Sequence, residues 1–352
     1  MKSKRKLLSI FLMLTVVLSM SFASVPACAA TSGTAISTAD DLKAMESNPS
    51  GSYYLANDIE VPANLMLFTS YDAPFSGTLD GNGHSIKGYT YTASADWTEQ
   101  AALFGYAKNA TFKNLKMTEV NISLNQAGTA AALVAASENC KFTDIRVSGK
   151  IVGKSLSTAA GIVAYSYEGG TLTNCKNSAD ITITNADEGS SAAGVAGFIG
   201  SAGSMKNCSN SGKISISGSI EAASISAAGV VLGVGKATSC KNSGTISVSA
   251  IGNGSMNDEC VAAGVAAEVD TAVSCSNTGK VSMSATVEAV DPHRVGGVFG
   301  SVTKSASKCY NKGAVSFSGK SYRGLYVGGL GAYLQKVSQS YNKGAVTVKL
   351  SD

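Results

Sequence analysis

The sequence predicts an all-β fold, a right-handed parallel β-helix of about eight coils behind an N-terminal cap that contains a short helix. Three observations carry this reading. A phrase of about eleven residues recurs with a period near 33, apolar and hydroxyl residues alternate inside each copy, and glycines and alanines punctuate the copies at fixed places. The composition agrees: 44% apolar residues over 352 positions support a large core, and 15% charged residues are too few for a disordered chain or a helical bundle.

The chain opens on a targeting segment. Lys2 to Lys6 form a basic head, Leu7 to Phe22 an apolar run, and Ala27-Cys28-Ala29 a small-residue cleavage site, so residues 1–29 are expected to be a signal peptide and the chain to be exported to the extracellular space or cell surface. A lipid anchor on Cys28 is the competing reading. Four of the 28 basic residues belong to that head, which leaves 24 against 24 acidic ones. A net charge near zero argues against a nucleic-acid partner, whose phosphates demand a clustered basic face.

Residues 30–97 do not follow the repeat and are expected to cap the rod. STADDLKAM from Ser37 offers a capping residue and an acidic first turn before Leu42 and Met45, which predicts a short helix. YYLANDIEV from Tyr53 and FSGTLDGNGHSIKGY from Phe75 alternate like strands around a turn at Asp80-Gly81-Asn82-Gly83. Asp80, Asn82 and His84 imitate half of a calcium loop without its distal glutamate, so they read as a structural turn.

Residues 98–352 hold the repeats. Cys175, Cys208, Cys240, Cys275 and Cys309 recur at one place in the phrase, with Leu115 and Ile145 before them and Ser340 after. Six and eight residues on come apolar pairs such as Ile214 and Ile216, interleaved with hydroxyl residues such as Ser215 and Ser217, which is strand periodicity. A second apolar segment, as in AAGIVAY from Ala159, precedes each cysteine, so each coil holds at least three strands. Such a unit buries its inner face only by stacking. With rungs about 4.8 Å apart, eight coils make a rod on the order of 35–40 Å long.

The fixed letters acquire roles in that stack. Asn177, Asn210, Asn242, Asn277, Asn311 and Asn342 are expected to form an amide ladder at a turn and to tolerate a left-handed backbone there. Gly212, Gly244, Gly279, Gly313 and Gly344 are expected to supply positive φ at the corner. The cysteine column reads as small buried hydrophobes with free thiols, since Leu115 and Ile145 hold the same place. Disulfides within the column and zinc are competing readings, the latter lacking any C-x-x-C pair. No cofactor and no metal site is expected.

YYLANDIEV, FSGTLDGNGHSIKGY and AALFGYAKNATFKNL, followed by NSGKISIS and NSGTISVS, resemble exported bacterial parallel β-helix proteins with GLUG-type repeats. The resemblance covers about 36–348 and implies an adhesin-like or accessory role at the cell surface. No peptidase domain and no HExxH motif is present in this sequence.

Three functions follow from these features. The first is an exported, non-catalytic adhesin-like or glycan-binding protein, with a hydroxyl face of Ser215, Ser247, Ser282 and Ser316 and with Tyr310, Tyr322, Tyr326 and Tyr341 as ring platforms for an extracellular glycan or host surface. The second is a polysaccharide lyase or hydrolase using Asp187 with Glu188, Asp258 with Glu259, Glu268 with Asp270, or Glu288 with Asp291, His293 and Arg294. The third is a structural spacer or subunit that self-associates through an open C-terminal edge, the opposing reading of that edge being that Lys343 and Lys349 act as gatekeepers against pairing. A non-enzyme is the expectation.

Overall fold

The computed structural model describes residues 32–93, 99–125, 127–186, 189–219, 224–252, 259–287, 292–321 and 324–351. The signal-peptide reading of residues 1–29 and the Cys28 anchor lie outside them. The fold is a parallel β-solenoid of about eight turns with one short N-terminal helix, and every named strand pairing is parallel.

One coil shows how the chain runs. Thr158–Ala160 lies on a first face, Val163–Thr173 on a second, and Lys176–Asn177 with Asp180–Thr184 on a third, before Ser191–Ala193 begins the next coil directly above Thr158–Ala160. Stacking keeps like on like. Ala159, Ala192, Ala227 and Ala262 are in register on the first, alanine-rich face. Ile181, Ile214, Ile246, Val281 and Val315 are in register on the third, the hydroxyl face. All these residues are buried, so each coil's apolar side chains are covered by the coils on either side.

The expected columns are present. Leu115, Ile145, Cys175, Cys208, Cys240, Cys275 and Cys309 are fully buried, and no described cysteine forms a disulfide. Cys175 and Cys208 donate to the carbonyls of Thr173 and Lys206 at 3.5 Å. Cys140 lies outside the column, and burial pushes its thiol up to about 11.

The asparagine ladder is continuous. Asn177 Nδ2 donates to Asn210 Oδ1 at 2.8 Å, and the same bond runs on through Asn242, Asn277 and Asn311 to Asn342 at 2.8–2.9 Å. The second Nδ2 proton goes to the carbonyl two residues on, whose own N–H returns to Oδ1, as in Asn242 with Gly244 at 2.8 and 3.2 Å. Each interior amide is thereby satisfied locally and vertically, which a buried polar group requires.

Two conformational expectations are corrected. The left-handed residue of each corner is the one before the cysteine position: Asn174, Asn207, Ser239, Ser274, Lys308 and Gln339 have φ between 48° and 56°. The ladder asparagines and the glycines two residues beyond them have no positive φ. Those glycines are required by close approach instead. A Cβ on Gly212 would lie 2.0 Å from the Ala179 carbonyl oxygen, and one on Gly244 2.0 Å from that of Gly212.

The cap joins the same stack. Thr34–Ile36, Ser52–Leu55 and Thr78–Asp80 pair successively below Thr111–Lys113, and Gly33–Asp352 forms one compact unit. The helix Ala39–Ala44 starts from Thr38, whose side chain accepts from Asp41 N while Asp41 answers to Thr38 N, a capping box. Leu42 and Met45 beneath it are fully buried, so the helix covers the bottom of the core. Above them Phe68, Phe75, Phe104, Phe112 and Phe142 pack with centroids 5.1–5.7 Å apart. The Asp80 turn is structural: Asp80 Oδ1 accepts from Asn82 N at 2.8 Å and from Asn114 Nδ2 at 3.0 Å, and Lys113 pairs with Oδ2 at 3.1 Å.

Candidate functional site

Where the first face turns into the second, two outward rows meet along the rod. One runs Gln100, Thr129, Thr158, Ser191, Ser226, Val261, Arg294, Tyr326. The other runs Tyr106, Ala136, Tyr165, Phe198, Gly233, Glu268, Ser301, Tyr333. Side chains bridge the corner: Gln100 Nε2 donates to Tyr106 Oη at 3.0 Å, the hydroxyls of Thr158 and Tyr165 are hydrogen-bonded, and Arg294 reaches Glu268 at 3.4 Å. The corner is therefore a groove with its rings held in place.

Its lower half is aromatic. Tyr165 lies parallel to Tyr167 (6.0 Å, 7°) and to Phe198 (6.0 Å, 14°), and Tyr71 meets Tyr106 edge-on at 5.7 Å. Tyr71, Tyr167 and Phe198 are 64%, 55% and 41% exposed. Ala136 sits in register between Tyr106 and Tyr165. Two rungs separate those rings, roughly 10 Å at the strand spacing, so the methyl group floors a slot between two aromatic walls. The Lys108–Glu138 ion pair at 2.6 Å closes one side of it, with Asp72 nearby.

The residues singled out from the sequence lie in three places. Ser215, Ser247, Ser282 and Ser316 stand in register, half-buried, on the hydroxyl face. Tyr310 and Tyr341 stack on one another at 5.5 Å at the edge of that face, each beneath a lysine, Lys312 or Lys343. Tyr326 lies apart from them at the top of the groove, across from Tyr333, both about half exposed. Tyr322 lies outside the described residues. Tyr310, Tyr326 and Tyr341 come from neighbouring repeats yet form no single platform, because a coil carries its segments to different faces.

Sequence reasoning missed Tyr71, Tyr106, Tyr165, Tyr167 and Phe198. A signal was present: Tyr165, Phe198, Gly233, Glu268, Ser301 and Tyr333 all stand four residues after the glycine of the alanine segment. The column varies where its neighbours repeat.

The three described acidic candidates, Glu259, Glu268 and Asp270, are engaged with cations. Arg294 is bidentate on Glu259 and also reaches Glu268, while Asp270 pairs with Lys304 at 2.8 Å and accepts from Thr303 at 2.6 Å, contacts that hold its carboxyl below the usual range. His293 opens the strand His293–Gly296. It is fully buried, its Nδ1 accepts from Cys260 N at 3.3 Å, its Nε2 has no partner among the described residues, and burial lowers its pKa. Asp187, Glu188, Asp258, Glu288 and Asp291 lie outside the described residues. Among the described residues no group of three or more His, Cys, Asp or Glu is placed to hold a metal, and no helix is long and apolar enough to cross a membrane.

Residues 28–149 match the family model of the M26 IgA1-specific metallo-endopeptidase N-terminal region. A crystal structure from Bacteroides ovatus, described as that of a "putative immunoglobulin A1 protease", superposes with a TM-score of 0.50 at 17% identity, over 88% of this chain and 86% of that one. At that identity the likeness is one of fold. No curated protein matches the chain.

Proposed function

We propose that the chain is an exported, non-catalytic, adhesin-like β-solenoid that binds a glycan in the groove between the alanine and aromatic faces. The observation that carries this reading is the slot over Ala136 between Tyr106 and Tyr165, extended by Tyr71, Tyr167 and Phe198. Flat rings on a rigid sheet suit the apolar faces of sugar rings, and the hydroxyls of Tyr106 and Tyr165, oriented by Gln100 and Thr158, offer hydrogen bonds without desolvating a charge. Rigidity matters because rings already fixed lose little entropy on binding. The matched family model describes an N-terminal region of a metallo-endopeptidase, and Glu138, Glu259, Glu268 and Asp270 are held in ion pairs, which supports a role in binding over one in cleavage.

The test is a glycan array probed with the purified chain, followed by titration of any retained glycan against Tyr106→Ala and Tyr165→Ala. Loss of at least tenfold in affinity in both variants is expected, with no shortening of the glycan in calcium or in chelator. Retention of affinity in both would remove the groove from consideration, and turnover would replace the binding reading with the enzymatic one.

A further inference from the structure

The balance of 24 basic and 24 acidic residues over 30–352 conceals a segregated charge. Lys116, Arg146 and Lys176 stand directly opposite one another on three successive rungs at the edge between the aromatic and hydroxyl faces, and the row continues through Ser209 to Lys241. All four cations are exposed. Like charges about 4.8 Å apart across a sheet are destabilising. The fold does not require them, because Ser209, Ser276, Tyr310 and Tyr341 fill the same row farther along.

The contrast with the groove is sharp. There Lys108, Arg294 and Lys304 each have a carboxylate partner. On this edge, Lys116, Arg146, Lys176 and Lys241 have no ion-pair partner among the described residues, although Glu119, Asp144 and Asp180 are close in sequence to the first three. A cleft of about 600 Å³ runs beside the row, lined by Lys176, Lys241, Lys308 and the hydroxyls of Ser209, Ser276 and Tyr310.

We infer that this edge is a second binding surface, for a linear anionic polysaccharide lying along the rod axis. A straight, single-file row of three contiguous cations, followed by the Ser209 hydroxyl and then Lys241, matches an extended chain of sulfate or carboxylate groups. Single-stranded nucleic acid fits less well, since its proteins add free aromatic faces for base stacking, and here Tyr310 and Tyr341 already stack on each other beneath Lys312 and Lys343. The edge is separate from the groove and binds independently of it.

The test titrates the full chain with heparin and with polygalacturonate, alongside single-stranded DNA of matched charge and vesicles of phosphatidylglycerol. At least one of the two polysaccharides is expected to bind more tightly than DNA or vesicles. Affinity should fall roughly fifty-fold between 50 and 200 mM salt if about four cations are engaged. K116S/R146S/K176S, which installs the residue the row already carries at Ser209, should lose at least tenfold. S209K, which closes the gap before Lys241, should bind severalfold tighter, a gain that misfolding does not mimic. Failure of both polysaccharides to bind at low salt, equal binding by the triple variant and the wild type, or tighter binding of DNA or vesicles would each overturn the assignment.

Discussion

The asparagine ladder and the aromatic groove occupy the same coils and obey opposite rules. In the ladder every coil supplies the same residue, and each Asn is useful only because its neighbours are Asn too. In the groove the residue changes from Tyr106 to Ala136 to Tyr165 to Phe198 to Gly233, and the slot exists because Ala136 breaks the run of rings. Repetition in a solenoid marks what holds it together, and departure from repetition marks where it can recognise something else.

The comparison is most sharply tested by Asn242→Ala. Removing one interior amide strands protons and lone pairs on Asn210, Asn277 and Gly244 in a buried site, at about 3–5 kcal/mol in all, measured by denaturant unfolding. Asn342→Ala, at an exposed position on the same ladder, should cost below about 1 kcal/mol. Equal effects would mean that the ladder does not act as a chain of coupled bonds.

Gly229→Ala probes the other side of the ladder. Its Cβ would lie 2.0 Å from the Gly264 carbonyl oxygen and 2.4 Å from Asn242 Cγ, and neither neighbour has room to retreat, so about 2–3 kcal/mol of stability should be lost. This glycine column, rather than a turn, is what the alanine segments encode.

His293 supplies a pH-dependent test. Burial lowers its pKa in the folded chain, so the unfolded chain holds more protons on it once the pH drops below the ordinary histidine value near 6.5. Stability is complete above that pH and falls below it, by up to about 1.4 kcal/mol per pH unit. His293→Leu, which copies Leu325 in the adjacent coil, should flatten the unfolding midpoint between pH 7 and pH 5; an unchanged slope would assign the acid sensitivity elsewhere.

The smallest expected effect on folding is that of Tyr167→Ala. Its ring is half exposed, so stability should change by less than about 0.5 kcal/mol, while glycan affinity drops several-fold. A residue that costs binding and not folding is the converse of Asn242, and a large thermal shift in this variant would erase the distinction between the two regions.

The same distinction explains what was legible in the sequence. Cys175 to Cys309, the asparagines and the paired Ile and Val announced themselves because stacking forces identical solutions at identical places, and the period converts directly into fold. The corner conformation was misplaced by a few residues. Left-handed backbone is usually advertised by glycine, but here Ser239, Lys308 and Gln339 adopt it, while Gly212 and Gly244 answer to a carbonyl overhead. The groove was missed because its walls come from segments that share no phrase: Tyr71 precedes the repeats, and Tyr165 and Phe198 sit at a column whose other members include glycine and glutamate. Net charge likewise says nothing about placement, and the balanced charges of residues 30–352 still leave Lys116, Arg146 and Lys176 gathered on one edge.

The ladder also makes the rod electrically polar. Each interior amide donates toward the coil that follows in the chain and accepts from the one before, so all the side-chain dipoles point one way and their positive ends face the later coils. Aligned amides polarise one another, strengthening each bond by about 10–30%. Two such rods meeting head to tail would attract along this axis, and two meeting with like ends would repel, whatever their net charge.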